Sequence, residues 1–270
     1  MEEQPWIPAD VDRERPSIAR IYDFYLGGRH NLPADREAAR QVVEVMPELP
    51  AMLRVNRAFM RRGVRYLVDS GIRTFLDLGS GIPTVDNVHD IAQAADASSR
   101  VVYVDNDPVA VRHSKLMLAG NPNALIVKRD LRDAASVVAD PEVEELLRLG
   151  AGEPVAVLMS AVLHFVPDDD EAAALIAAYR SAMPPGSYLL VSHGSRKQDS
   201  AERIEEAAER YSRTVAPMKL RSMEELEKLL RDFQLIDPGI VYCSQWRPEP
   251  YYTSVVVDPL PQICALARKV

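Results

Sequence analysis

Three acidic residues hold matching places in this chain, each following a short apolar run. Asp77 lies in Thr74-Phe-Leu-Asp77-Leu-Gly79-Ser80-Gly81, Asp105 closes Val101-Val-Tyr-Val-Asp105-Asn106-Asp107, and Asp130 follows Ala124-Leu-Ile-Val-Lys-Arg. Asp105 comes 24 residues after Gly81 and Asp130 comes 25 after Asp105, a spacing of one strand-helix unit each time. A carboxylate at the end of a buried strand is a strong acceptor for neutral donors, and beside a glycine turn it suits the two hydroxyls of a ribose. Asp105 has that place. Asp130, one strand further out, is positioned to accept from an exocyclic adenine amine. Gly79 and Gly81 permit a sharp strand-to-helix turn and let a ligand touch the main chain. The helix that follows offers amide donors and a positive dipole end.

The same segment rules out some nucleotides. A dinucleotide site asks for G-x-G-x-x-G, but Thr84 stands at the third glycine position, and the chain has no G-x-x-x-x-G-K-[ST] phosphate loop. Asp77 repels a diphosphate. It suits a ligand with a positive amino group, such as the methionine part of S-adenosylmethionine (SAM). Glycine pairs between a strand and a helix are common, so the assignment rests on the three acids in series. The residues assigned to the cofactor on this basis are Asp77, Gly79, Ser80, Gly81, Asp105, Asn106, Asp130, Leu131 and, at the end of the fourth strand, Ser160.

Positioning these acids requires a particular framework. Short Val/Ile/Leu-rich runs at 74–78, 100–104, 124–128, 155–160 and 188–192 show little alternation, as strands buried on both faces do. Helices are expected at 84–95, 108–118 and 169–182 between them, the second starting behind Asp107 with Pro108 at its first position. This strand-helix alternation predicts a doubly wound sheet with right-handed crossovers. Further helices are expected at 201–214 and 223–232, the latter with a Ser222/Glu225 capping box, and strands at 235–243 and 263–268. The stretch 252–257 also reads as a strand. The first seventy or so residues read as helices at 17–26, 34–45 and 52–70, broken by Gly27-Gly28, Pro47 and Pro50. The expectation is an α/β, mostly parallel, seven-stranded sheet over 72–270, with residues 1–71 as a helical cap over its ligand edge.

Bulk composition narrows the function classes. The 270 residues are 47% apolar, enough for a core, and the net charge of −8 argues against nucleic acid or an anionic membrane as the main partner. Cys243 and Cys264 lack C-x-x-C spacing, so no zinc or redox motif is expected. The acidic, polar start is unlike a signal peptide and no apolar run nears the roughly 18 residues of a membrane span, so a cytoplasmic protein is expected.

Asp77-Leu-Gly79-Ser-Gly81, Asp105 and Asp130 together resemble the successive motifs of class I SAM-dependent methyltransferases, as do Ser160-Ala-Val-Leu-His164-Phe-Val-Pro-Asp168 and Met183-Pro-Pro-Gly-Ser-Tyr-Leu-Leu-Val191. Pro83 stands where that class often has a third glycine. The N-terminal run Arg15-Pro-Ser-Ile-Ala-Arg20-Ile-Tyr22-Asp-Phe-Tyr25-Leu-Gly-Gly28-Arg-His-Asn31, with Asn56-Arg57-Ala-Phe59 and Gly79-Ser-Gly-Ile-Pro83-Thr84, resembles a more specific family. This is a family of S-adenosyl methyltransferases long catalogued as a domain of unknown function. The resemblance spans nearly the whole chain. It implies the Rossmann-like methyltransferase fold and SAM, with S-adenosylhomocysteine (SAH) as product, but no particular acceptor.

Methyl transfer from a sulfonium is an in-line displacement on an activated electrophile, so positioning dominates and a base is required only if the acceptor must lose a proton. His164 is the candidate base or acceptor-orienting group; its commoner alternative is a structural histidine capping the turn before Pro167. Tyr22 and Tyr25 share a helix face, where they either wall the methylsulfonium and the acceptor or simply fill the core. His30 is a further candidate for acceptor contact. Asn56 and Arg57 are candidates for the methionine carboxylate, unless Arg57 only joins Arg54, Arg61 and Arg62 on a solvated basic face. The reading is a SAM-dependent methyltransferase acting on a small-molecule acceptor. The alternatives are a SAM-binding regulatory or interaction protein without turnover, and a nicotinamide-dependent oxidoreductase, against which Thr84 and Asp77 speak.

Overall fold

Five of the apolar runs lie side by side, and the reason is visible in how their side chains divide. Along β1 (Thr74–Leu78) and β2 (Arg100–Asp105), Leu76, Leu78, Val102 and Val104 enter one core, while Phe75, Val101 and Tyr103 enter another on the opposite face. With both faces covered, apolar residues occupy both faces and no in/out alternation survives. A computed structural model describes residues 7–8, 11–83, 86–147, 151–196, 201–248 and 259–270. With β3 (Ala124–Lys128), β4 (Ala156–Ser160), β5 (Tyr188–Gly194), β6 (Gln234–Leu235), β7 (Val241–Tyr242) and β8 (Gln262–Arg268), the sheet order is β3-β2-β1-β4-β5-β8-β6, and β7 also pairs with β8. The first five strands are parallel and β8 runs antiparallel to β5, β6 and β7.

One strand departs from expectation. The run 235–243 is interrupted, because Pro238 has no amide to give a ladder and the Gly239 amide turns back to the Ile236 carbonyl at 2.9 Å. Two short strands result, and among the described residues the sheet has eight strands where seven were expected. The 252–257 stretch lies outside the described residues.

The helices are α1 (Ile18–Tyr25), α2 (Pro33–Val45), α3 (Leu49–Asp69), α4 (Val88–Ala95), α5 (Pro108–Met117), α6 (Ala134–Val138), α7 (Pro141–Leu147), α8 (Asp169–Ala182), α9 (Ala201–Thr214) and α10 (Met223–Leu229). Pro50 does not break α3; it occupies the first turn, where its missing amide has no partner to lose. Asp107 caps α5 by accepting from the Val109 and Ala110 amides at 2.7 and 3.0 Å. Ser222 and Glu225 exchange the two bonds of the predicted capping box at the start of α10. α4 starts at Val88, later than the expected 84, because Asn87 is extended and caps it in a box with Asp90; Thr84 lies outside the described residues. The short helices α6 and α7 have no counterpart in the sequence reading.

α3 packs Phe59, Val64 and Leu67 against Phe75, Leu158 and Leu190 on one sheet face, so the last N-terminal helix shares the sheet's own core. α8 and α10, with the Leu230 that caps α10, cover the other face through Leu175, Ile176, Leu226 and Leu230. α1 and α2 form a separate apolar cluster with α9, built on Ile21, Ala39, Val42, Ala207 and Tyr211. Among the described residues no helix is long and apolar enough to cross a membrane.

Candidate functional site

The strand ends converge on a cleft of about 520 Å³ at the carboxyl edge of the sheet. Its floor is the turn after β1. The Gly79 and Ser80 amides donate to the Val104 carbonyl at 2.8 and 3.2 Å, pinning the turn to β2. Gly79 and Gly81 have φ of +70° and +68°, a region that side chains rarely adopt. At Gly79 a Cβ would also stand 2.5 Å from Val162 Cγ1.

Asp105 holds this turn in place. Its carboxylate accepts the Gly81 amide at 2.7 Å and the Asp107 amide at 2.8 Å. Burial nonetheless raises its pKa to about 6, because those amide bonds do not fully offset the loss of water. Asp77 is buried too, and burial raises its pKa to about 7; the Arg57 guanidinium opposes that rise and Asp105 adds to it. Asp130 is exposed at the cleft's outer end and accepts the Arg132 amide at 2.9 Å. Beside it, the Leu131 carbonyl is anchored by the Tyr179 hydroxyl at 2.7 Å.

The facing wall comes from the N-terminal helices. Tyr22 and Arg57 line the cleft together with Ser160. Asn56 does not. It lies beneath, with its amide donating to Tyr22 Oη at 3.2 Å and Ser160 Oγ at 3.3 Å, and its carbonyl accepting from Ser192 Oγ at 2.6 Å. Asn56 therefore positions two lining groups without being one. Of the α3 arginines Arg54 is exposed, but Arg57 donates to the Asp86 carbonyl at 2.7 Å, and Arg62 to the Trp246 and Cys243 carbonyls at 2.9 and 2.6 Å.

Three acceptor-side candidates fall outside the cleft. His164 sits in the short 3-10 turn Leu163–Phe165 and lines a second, apolar cavity of about 100 Å³. Burial, with His193 and Arg221 nearby, holds its pKa well below the usual histidine value, so the ring is neutral at physiological pH. Tyr25 lines the same cavity and spends its hydroxyl on the Ala39 carbonyl at 3.2 Å. His30 lines neither space; its ring meets His113 with centroids 3.8 Å apart.

Two features escaped the sequence reading. Ser17 and Arg20 of the N-terminal motif also line the cleft, Ser17 Oγ bonding the Asp107 carboxylate while Arg20 pairs with buried Asp35 at 2.7 Å. Arg221, fully buried, donates to the Leu163 and Val166 carbonyls at 3.2 and 2.8 Å and so holds the turn that carries His164. The spacing of Arg15, Arg20 and Asp35 was a signal for the first; nothing local marks the second.

A model of the S-adenosyl methyltransferase family matches residues 4–270. The chain belongs to this family. A candidate methyltransferase from Thermobifida fusca YX superposes with a TM-score of 0.89 at 36% identity, over 98% of each chain. A DUF574 family protein from Streptomyces avermitilis MA-4680 gives 0.90 at 38% identity, over 96% of this chain and 99% of that one. Mitomycin 7-O-methyltransferase shares the fold, with a TM-score of 0.52 at 18% identity over 82% of this chain and 56% of its own. No curated protein matches. The cofactor of this S-adenosyl methyltransferase is SAM, and the residues of the cleft fit it. Asp77 is a buried acid that a cationic ligand would relieve, and Ser80 Oγ is buried without a partner among the described residues.

Proposed function

We propose that the cleft binds SAM with its ribose hydroxyls on Asp105, its adenine amine toward Asp130 and Leu131 and its methionine ammonium toward Asp77, and that the methyl group goes to a small-molecule acceptor. One observation carries this reading: acids at or just beyond the ends of β1, β2 and β3 line a single cleft whose floor is the glycine turn. Gly79, Ser80, Gly81 and Asn106 then supply the main-chain surface under the nucleoside. Arg57, on the opposite wall, takes the methionine carboxylate. Bound SAM supplies a methyl group already activated on a sulfonium. The protein's part is orientation and exclusion of water, by Tyr22 and Ser160 on their Asn56 support and by α1 against the rim. On this reading residues 1–71 serve as the cap and 72–270 as the cofactor-binding domain of a cytoplasmic enzyme.

Titration calorimetry with SAM and SAH tests the pocket; no heat from either overturns it. Methyl release against a metabolite extract tests turnover. Affinity for SAM without any methyl release would favour a regulatory SAM-binding protein, a reading supported by the absence of His164 from the cleft lining.

A further inference from the structure

The hydrogens of four side chains beside the cleft follow from their distances. Ser192 Oγ lies 2.6 Å from Asn56 Oδ1, a separation usual for O–H···O and short for an amide N–H. Asn56 Nδ2 lies 3.2 Å from Tyr22 Oη and 3.3 Å from Ser160 Oγ, within the reach of an amide donor. Ser192 Oγ accepts the Ala161 amide at 3.0 Å, which leaves its own hydrogen for Asn56. The Asn56 oxygen therefore faces Ser192, and its nitrogen faces the two hydroxyls. An amide nitrogen has two hydrogens, and Asn56 spends one on each hydroxyl. It cannot also accept from Tyr22. The single hydrogen of the Tyr22 phenol is left without an acceptor among the described residues. Burial raises the Tyr22 pKa, so that hydrogen is kept at physiological pH.

Tyr22 borders both cavities, but Ser160, which shares its amide donor, borders only the cleft. The hydroxyl end of Tyr22 thus lies on the cleft side. Arg57 and Asp77, both in the cleft lining, are the charged side chains that act on it. A donor beside a guanidinium suits an anion, which takes a charge-assisted bond from the hydroxyl as well as from the arginine. Part of Arg57 is already spent on the Asp86 carbonyl, so a second donor matters here.

We propose that the Tyr22 hydroxyl donates to the methionine carboxylate of the cofactor beside Arg57, and that it selects ligands carrying the whole amino-acid part over those that end at the sulfur. The proposal rests on the cofactor reading above. Asn56 is the positioning residue: by occupying an acceptor place on Tyr22 Oη from beneath, it turns the hydrogen toward the cleft.

SAH and 5′-methylthioadenosine share the nucleoside and the sulfur, but only SAH has the amino-acid part, and a hydroxyl hydrogen in that part can bond the carboxylate and not the ammonium. Calorimetry on the full chain measures both. Tyr22→Phe is expected to weaken SAH about tenfold or more, the effect of losing a bond to a charged group, and to leave 5′-methylthioadenosine within about twofold. The retained second ligand reports a folded chain. Asn56→Leu should narrow the difference between the two ligands, and together with Tyr22→Phe should narrow it no further than Tyr22→Phe alone, as residues acting through one another do. Equal weakening of both ligands by Tyr22→Phe overturns the proposal. So does unchanged SAH affinity with loss of methyl release, which would put the hydroxyl on the acceptor. A parent chain that binds neither ligand overturns the cofactor reading itself, whereas a parent that binds both, with no selective effect of Tyr22→Phe, removes the Tyr22 assignment alone.

Discussion

The Asp105 carboxylate accepts the Gly81 amide at 2.7 Å, so the acid that ends β2 also sets the turn that follows β1. On the proposed reading, ligand contact and loop shape are thereby tied to one side chain. Asp105→Ala is expected to weaken SAH binding about 100-fold or more, since two bonds to a charged acceptor are worth ~1.5–3 kcal/mol each. Asp105→Asn, which keeps the shape, should lose about tenfold. Calorimetry decides, and an unchanged Kd would remove Asp105 from the site.

Asp77 gives a prediction in pH. Its pKa is raised by burial from 3.8 to about 7, so in the ligand-free protein its contribution to stability is fully present below 3.8 and is lost as pH rises toward 7. Asp77→Asn cannot ionise. Its thermal midpoint without ligand should exceed that of the parent at pH 8 by the equivalent of ~2 kcal/mol, the gap closing on acidification. The same variant should bind SAM more weakly, and SAM affinity of the parent should climb as pH rises through the window where Asp105 and Asp77 ionise, about 6 to 7. A midpoint gap that does not change with pH would sink this account.

Asp35 is the joint of the N-terminal segment. Wholly buried, it accepts the Ser17 and Leu32 amides at 2.8 and 2.7 Å and Arg20 Nε at 2.7 Å. Asp35→Ala strands three buried donors, one of them charged, at a cost on the order of 3 kcal/mol. Hydrogen exchange should speed up across α1 and α2 well before it does in β1 to β5. Equal protection in both regions would show that Asp35 does not tie down these two helices.

Arg221 is expected to matter through His164. Arg221→Met leaves the Val166 carbonyl without its side-chain donor and the Leu163 carbonyl with only the Val166 amide, at ~1–3 kcal/mol for the stranded group, and the urea midpoint should fall accordingly. Arg221→Lys, with one point charge for a planar fork, should recover only part of the loss. A variant as stable as the parent would mean the turn is held by its own backbone.

Much of this protein is legible locally. β1, β3, α8 and α9 begin and end where their residues say, and the caps at Asp107 and Ser222 act as read, because apolar runs and caps are short-range signals. Asp77, Asp105 and Asp130 share a cleft because parallel strands one crossover apart end on one edge of the sheet. Distant contacts were not legible. Only packing decided that Asn56 supports the cleft wall from below, that His164 faces a different cavity, and that Arg221 reaches from beyond β5 to hold the His164 turn. Those placements depend on which side chains meet across 34, 104 or 58 positions of chain, and residue type and spacing alone do not specify such meetings. The chain by itself determined a sheet edge lined with acids; the tertiary structure decided what stands across from it.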